Sequence, residues 1–235
     1  FRRVLFRSLP LLYSLVTAFK PVQELFLFPP RFFVRNPTLD NFTTLFNLVS
    51  DLQVPFSRYL FNNLFLSVVG TAGYIAVASM AAYPLAKYRS KWLDAYFLVV
   101  VWAILFRPEV TSIPQYLVVA KLSLVNTYLA LLLPAMAGTF GVFLMRQFMV
   151  AFPDEILEAA HIDGAHEMRV LWRVVMPSVR PAWLTLAIFT FQQLWNTTGI
   201  QYIYDENLKM LPTVLRQVAA AGMARAGASA VVALF

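Results

Sequence analysis

The chain has 235 residues, a formal net charge of +7, 60% hydrophobic and only 13% charged residues, and a mean hydropathy of +0.65. A soluble domain is about 45–50% apolar and about 25% charged, so this composition argues against a soluble enzyme; 21 Phe, 10 Tyr and 5 Trp exclude a disordered chain. The absence of cysteine excludes a disulfide framework, a thiolate metal site and a cysteine nucleophile, leaving an integral membrane protein with several spans.

A span needs about 20 mostly apolar residues. Residues 4–19 read as the first, and residues 20–58, with their charges and prolines, as an extramembrane loop in which Thr38-Leu39-Asp40-Asn41-Phe42 starts a helix. Residues 60–86 form the clearest span. Gly70, Gly73, Ala76, Ala78 and Ala82 give it a small-residue surface that lets other helices approach closely. A basic loop, Lys87-Tyr88-Arg89-Ser90-Lys91, leads into a third span over 92–106. Residues 107–126, with Pro108 and Pro114, read as a return loop with a short helix. A fourth span covers 127–150, with Ala137 and Gly141 at small-xxx-small spacing.

Residues 151–178 are polar and helical, 179–200 a fifth span, and 201–217 polar again. A sixth span begins at Ala219, with Gly222, Ala226 and Ala230 at four-residue spacing. The start at Phe1 and the closing run Val231-Val232-Ala233-Leu234-Phe235 are expected to truncate the first and last spans. The basic residues come in small sets between apolar stretches, which argues against a nucleic-acid-binding face. Weighted over short loops near helix ends, the three charges at 87–91 place that loop and 151–178 in the cytoplasm.

The segment 151–178 holds five of the 12 acidic residues, Asp154, Glu155, Glu158, Asp163 and Glu167. Pro153 suits a first helical position, and Asp154 and Glu155 favour the positive end of the helix dipole. Ile156, Ala159, Ala160 and Asp163 fall on one face at helical spacing. Gly164 stands where a helix ends on a positive φ. A second helix is expected from about Ala165 to Val175, and Pro177 prevents its unaltered continuation into the next span. A small-residue face permits close backbone approach to a partner groove; on pattern alone, the same segment reads as an amphipathic helix lying in the membrane interface.

Glu158-Ala159-Ala160, three residues, Gly164, nine residues and then Val174-Val175-Met176-Pro177 resemble the EAA loop of binding-protein-dependent ABC transporter permeases, which reads Glu-Ala-Ala, three residues, Gly, nine residues, Ile-x-Leu-Pro. Further segments resemble the same family in order: Phe19-Lys20-Pro21, Asn62-Asn63, Ala82-Tyr83-Pro84-Leu85-Ala86, Ile113-Pro114-Gln115-Tyr116, Asn126-Thr127, Phe191 with Trp195-Asn196, and Leu211-Pro212. Asp163 before Gly164 resembles the sugar-permease form of the loop, and the series is similar to the second, maltose MalG-like permease subunit of carbohydrate importers.

The resemblance implies an all-α integral membrane fold of six transmembrane helices, with 151–178 as a cytoplasmic helix-turn-helix coupling loop. It implies a multi-pass protein of the bacterial cytoplasmic membrane, forming half of a pore for a carbohydrate. Its expected partners are a second homologous permease subunit, two ATPase subunits, an extracytoplasmic solute-binding protein and membrane lipid. Glu158, Ala159, Ala160, Asp163 and Gly164 are the expected ATPase-docking residues, with Glu158 the ionic partner of an ATPase arginine. No Gly-x-x-x-x-Gly-Lys-[Ser/Thr] occurs in the chain, so ATP and its magnesium belong to the partner and no cofactor is expected here.

Gln192, Gln193, Trp195 and Asn196 cluster in span five. Their amides and aromatic face suit sugar hydroxyls and ring C–H surfaces and make a candidate substrate path; the alternative is hydrogen bonding between helices. Arg107 and Glu109 flank Pro108 at a span end and read as interfacial. His161 and His166 are not completed to a metal set by other ligands. A permease for a non-sugar solute is the alternative within the same superfamily. An intramembrane enzyme and a self-sufficient ion-coupled carrier both lack the required polar sets at bilayer depth.

Overall fold

The computed structural model describes residues 2–29, 32–50, 54–219 and 226–232, and its regular elements there are all helical. The chain divides into two units, one of residues 1–61 with 209–235 and one of residues 62–208.

In the first unit, α1 (Arg2–Ala18) is followed by the short α2 (Val22–Leu25) and by α3 (Asp40–Ser50). The expected helix start is present: Thr38 Oγ1 accepts from the Asp40 N–H at 3.1 Å. Asn41 is buried and donates through Nδ2 to Ala18 O at 2.9 Å and Lys20 O at 2.7 Å, satisfying carbonyls at the end of α1. The stretch 201–217, read as polar, runs into α13 (Leu211–Ala219), whose Leu211 and Val214 pack on Val54 and Tyr59. Its apolar residues recur at helical spacing within a polar stretch, so average polarity concealed an amphipathic helix. The last described helix is α14 (Ala226–Val232), packed against α3, α1 and α13. Gly222 and Ala233–Phe235 of the expected sixth span lie outside the described residues.

The second unit contains most of α4 (Phe56–Lys87, 32 residues), whose first residues belong to the first. It continues with α5 (Lys91–Ile104), α6 (Pro108–Lys121), α7 (Leu129–Met136), α8 (Thr139–Val150), α9 (Asp154–Ile162) and α10 (Glu167–Val170). A π-helical turn (Leu171–Val175), α11 (Met176–Ser178), α12 (Arg180–Trp195) and a 3-10 turn (Glu206–Leu208) complete it. Among the described residues, α4 and the combined Leu129–Val150 (22 residues) are long and apolar enough to cross a membrane. Two bent pairs, α5 with α6 and Glu167–Ser178 with α12, bring the number to as many as four.

Three span boundaries differ from expectation. The return segment after the third span is a 14-residue helix, because Pro108 opens it at a position where its missing N–H has no intrahelical partner to lose. The fourth span is interrupted at Ala137–Gly138, where Gly138 has extended backbone and the ring of Tyr74 lies against it. The fifth helix ends at Trp195, short of residue 200, and Gly199 takes φ +65° in the turn beyond.

The core of the second unit joins α4 (Tyr74, Ala78, Ala82), α8 (Met145, Met149), α9 (Leu157), the π-turn (Leu171, Val175) and α12 (Ala182, Leu186). The small residues of α4 and α8 work as expected: Gly141 N–H donates to Tyr74 Oη at 2.6 Å, a contact that leaves no room for a side chain at 141. α4 is held at both ends. Near its start, Asn62 accepts from Tyr128 Oη at 2.7 Å and donates to Asn207 O at 2.8 Å, while Asn63 donates to Trp195 O at 3.2 Å. Asn126, with φ +63°, completes this end by accepting from the N–H groups of Tyr204 and Asp205 at 3.0 and 2.8 Å. The other end of α4 meets the 151–178 segment.

Candidate partner-docking site on the 151–178 segment

The chain leaves α8 through Phe152-Pro153 and enters α9, with Asp154 and Glu155 in its first turn. The helix closes in a Schellman arrangement: Gly164 N–H donates to His161 O at 2.9 Å and Ala165 N–H to Ala160 O at 3.0 Å, with Gly164 at φ +78°. A Cβ added at Gly164 meets nothing within 4 Å, so only the backbone conformation favours glycine within this chain. The second helix begins at Glu167, two residues later than expected, because His166 caps it: its Nδ1 accepts from Met168 N–H at 3.3 Å. It does not stay α-helical to Val175 but opens into the π-turn and continues to Ser178. Its axis then bends by 85° into α12 at Val179, with Pro177 and Pro181 on either side.

The faces of α9 differ from the expected grouping. Leu157 is buried and Ala160 packs against the core, whereas Glu155, Ile156, Glu158, Ala159, Ile162 and Asp163 face outward. Ala160 therefore belongs to the inward face, apart from Ala159, Ile156 and Asp163. The outward face ends on Ile162, which is 86% exposed. A bare isoleucine beside Glu158 and Ala159 makes a small, mixed surface. Ile162 was not among the sequence candidates, although its i+3 and i+4 relation to Ala159 and Glu158 was available as a signal.

Two ties fix the segment to the end of α4. Lys87, whose side chain is only 6% exposed, donates through Nζ to Asp154 Oδ1 at 2.7 Å and to Phe152 O. Tyr83 Oη donates to Glu167 Oε2 at 3.1 Å, and His161 Nε2 lies 3.6 Å from Glu167 Oε1. Nearby, Arg146 donates from Nε to Leu85 O at 3.0 Å and stands over the Phe97 ring at 3.7 Å. The loops at 87–91 and 151–178 thus meet at one end of α4. The hydrogen bond and positive charge of Lys87, with Arg89 adding to them, hold the Asp154 carboxyl below its ordinary range.

A folded-state value below the unfolded one stabilises above the unfolded pKa, and that stabilisation is lost as pH falls through the folded value. The tie is therefore expected to survive from neutral pH down to about pH 4 and to fail only in stronger acid. Lys87→Met is expected to raise amide exchange across 152–162 by about tenfold at neutral pH, read by mass spectrometry, with α12 unaffected. Exchange unchanged from wild type would show that Lys87 does not hold the segment.

The four candidate path residues are not gathered around one cavity. Gln192 and Gln193 are exposed, and Trp195 stacks on Phe191 with ring centroids 5.8 Å apart. Of the four, Asn196 lines an open cavity of about 450 Å³ with Thr197, Thr198 and Gln201. Buried polar atoms lie elsewhere. Asn63 Oδ1, Ser67 Oγ and Thr71 Oγ1, on one face of α4, have no hydrogen-bond partner among the described residues. Their i, i+4, i+8 spacing is legible in the sequence. Arg107 and Glu109 form an exposed pair at 4.0 Å. Among the described residues no group of three or more His, Cys, Asp or Glu could hold a metal.

The family described as "Binding-protein-dependent transport system inner membrane component" matches residues 74–235. The chain is 35% identical over 217 residues to Protein LplC of Bacillus subtilis, covering 89% of this chain and 70% of LplC. It is 34% identical over 179 residues to the sn-glycerol-3-phosphate transport system permease protein UgpE of Yersinia enterocolitica, covering 76% of this chain and 60% of UgpE. Its fold matches the crystal structure of a bacterial ABC transporter involved in the import of the acidic polysaccharide alginate, with a TM-score of 0.82 at 18% identity, over 97% of this chain and 86% of that one. A chain whose described regular elements are helical, with helices long and apolar enough to cross a membrane, and which this family matches over more than half its length, belongs to the binding-protein-dependent transport system inner membrane components: it is a permease component and not a catalytic subunit.

Proposed function

We propose that the chain forms half of the pore of an ATP-driven carbohydrate importer and is driven by a separate ATPase that grips the 151–178 segment. The observation that carries this reading is the outward face of α9, with Glu158, Ala159, Ile162 and Asp163 exposed on a helix whose opposite face and both flanks are fixed to the core and to α4. Gly164 closes that helix without a side chain, leaving the turn open to a partner. Ala160 sets the spacing of α9 from the core. In this arrangement a second homologous permease completes the pore, two ATPase subunits take the two coupling segments, and an extracytoplasmic binding protein delivers the solute. In this reading the chain is a single permease domain, with 151–178 on the cytoplasmic side of a bacterial inner membrane.

The carbohydrate reading draws on the ordered sugar-permease motifs and on the amide and hydroxyl groups of Asn196, Thr197, Thr198 and Gln201 around one open cavity. Gln192, Gln193 and Trp195 stand on the helix leading to it. A second reading, a phosphorylated polyol, is favoured by the similarity to UgpE. The chain is to be purified with the products of its neighbouring genes. Co-purification of an ATPase is expected, together with hydrolysis stimulated by the loaded binding protein. A melting shift of that protein on a mono-, oligo- or acidic saccharide, and none on glycerol phosphate, supports the carbohydrate; the reverse selects the polyol phosphate. Failure of any ATPase to co-purify or to be stimulated overturns the coupling reading.

A further inference from the structure

A groove of about 380 Å³ lies between the middle of α4 and the elbow that joins the π-turn to α12. Ala72, Ile75 and Ala76 form one wall; Trp172, Arg180 and Trp183 form the other. The two walls differ in chemistry. The α4 side is purely aliphatic and small, and the elbow side presents two indoles and a guanidinium. Trp183 Nε1 donates to Met176 O at 3.1 Å, so its ring is fixed as a wall. The Trp172 indole N–H and the Arg180 guanidinium have no hydrogen-bond or ion-pair partner among the described residues, and both side chains are exposed.

The length of α4 bears on the level of the groove. α4 has 32 residues, about 48 Å of helix, against a hydrocarbon core of about 30 Å. It must therefore extend past the core. Ala76 stands well inside the Lys87 end, about 16 Å along the helix. Tryptophan and arginine concentrate where hydrocarbon meets headgroups, and Trp172, Trp183 and Arg180 occupy this elbow together. From there the Ala72–Ala76 wall runs toward the hydrocarbon. An unpartnered cation and indole donor at the mouth, above an apolar wall, complement a molecule with an anionic head and an acyl tail.

We propose that this groove binds an anionic glycerophospholipid of the surrounding bilayer, its phosphate on Arg180 and the Trp172 N–H and its acyl chain along Ala72, Ile75 and Ala76. The site lies on the elbow that links the 151–178 segment to α12. Occupancy is thus placed where that segment's position is transmitted to a membrane-crossing helix.

The assembled transporter, in nanodiscs, is the material for the test. Tryptophan quenching is measured with brominated phosphatidylglycerol and brominated phosphatidylcholine. The signal of Trp172 and Trp183 is isolated by difference from a variant with Trp172→Phe and Trp183→Phe. In wild type, brominated phosphatidylglycerol is expected to reach half-quenching at a mole fraction about fivefold lower than the zwitterionic lipid, the scale of one basic contact to an anionic headgroup. Arg180→Gln is expected to reduce that ratio to about one, and Arg180→Lys to retain most of it. Equal quenching by the two lipids in wild type, or a preference that survives Arg180→Gln, overturns the proposal. So does absence of quenching by either lipid, the result if the second permease subunit fills the groove. Native mass spectrometry of wild type and Arg180→Gln, scoring retained phosphatidylglycerol, gives the same decision without touching the tryptophans.

Discussion

Charge reversal at Glu158 is expected to abolish transport-coupled ATP hydrolysis without unfolding the permease. Glu158 is exposed on α9 and has no ion-pair or hydrogen-bond partner among the described residues. A surface substitution of that kind changes stability by no more than about 0.5 kcal/mol. Any large effect must then come from outside the chain. Across a docked interface, replacing an acid that faces a cation with a lysine sets like charges together, and such changes cost enough to lower coupled activity at least about thirtyfold. Glu158→Lys is to be compared with wild type by circular-dichroism melting, ATPase co-purification and hydrolysis stimulated by the loaded binding protein. Coupled hydrolysis within twofold of wild type would remove Glu158 from the docking surface.

The second large effect is internal. Gly141→Ala is expected to destabilise the permease by about 1–3 kcal/mol, the usual cost of overpacking. A Cβ at 141 would stand 2.7 Å from both Cζ and Oη of Tyr74 and 3.0 Å from Cε2. The tyrosine has little freedom to retreat, because its ring also lies against Gly138 and its hydroxyl accepts the Gly141 N–H. Gly73→Ala is the contrast. Its Cβ meets the terminal methyl and sulfur of Met136, and a methionine end swings aside at little cost. Gly73→Ala should therefore cost less than about 1 kcal/mol. Thermal melting of the purified transporter ranks the two. In the double variant Tyr74→Leu, Gly141→Ala the clash is relieved, so its loss should fall short of the sum of the single losses. Equal melting of Gly141→Ala and wild type would show that the α4–α8 contact is not tight.

Local chemistry made the 151–178 segment readable. Pro153 and Gly164 act on the backbone through their own covalent structure, and the two acids after the proline suit a helix start; the structure opens α9 at Asp154, with Pro153 as its extended cap rather than its first helical residue, and has the positive φ at Gly164. The small residues of α4 were readable for the same reason: a missing side chain is visible in the sequence. What stayed hidden depends on distant partners. Lys87 and Asp154 are 67 positions apart and looked like two loop charges, yet they form one buried-to-exposed tie. Glu167 looked like helix polarity and is the acceptor for Tyr83. Ala160, at the centre of the motif, looked equivalent to Ala159. A helix of nine residues turns one of two adjacent alanines inward, and only the position of Leu157 decides which.

The ties at the two ends of α4 make it a strut rather than a passive wall. At one end Tyr83 and Lys87 hold the 151–178 segment, and at the other Asn63 holds the last residue of α12 and Asn62 the 3-10 turn at Glu206–Leu208. Between them the helix is unbroken, and Pro84 lies in its last turn, beyond the packed middle. A stiff member pinned at both ends transmits axial displacement almost undiminished. If an ATPase pushes on the 151–178 segment, the displacement is expected to be carried along α4 to the carbonyls of Trp195 and Asn207 beside the Asn196–Gln201 turn, with no relay of side chains needed in between.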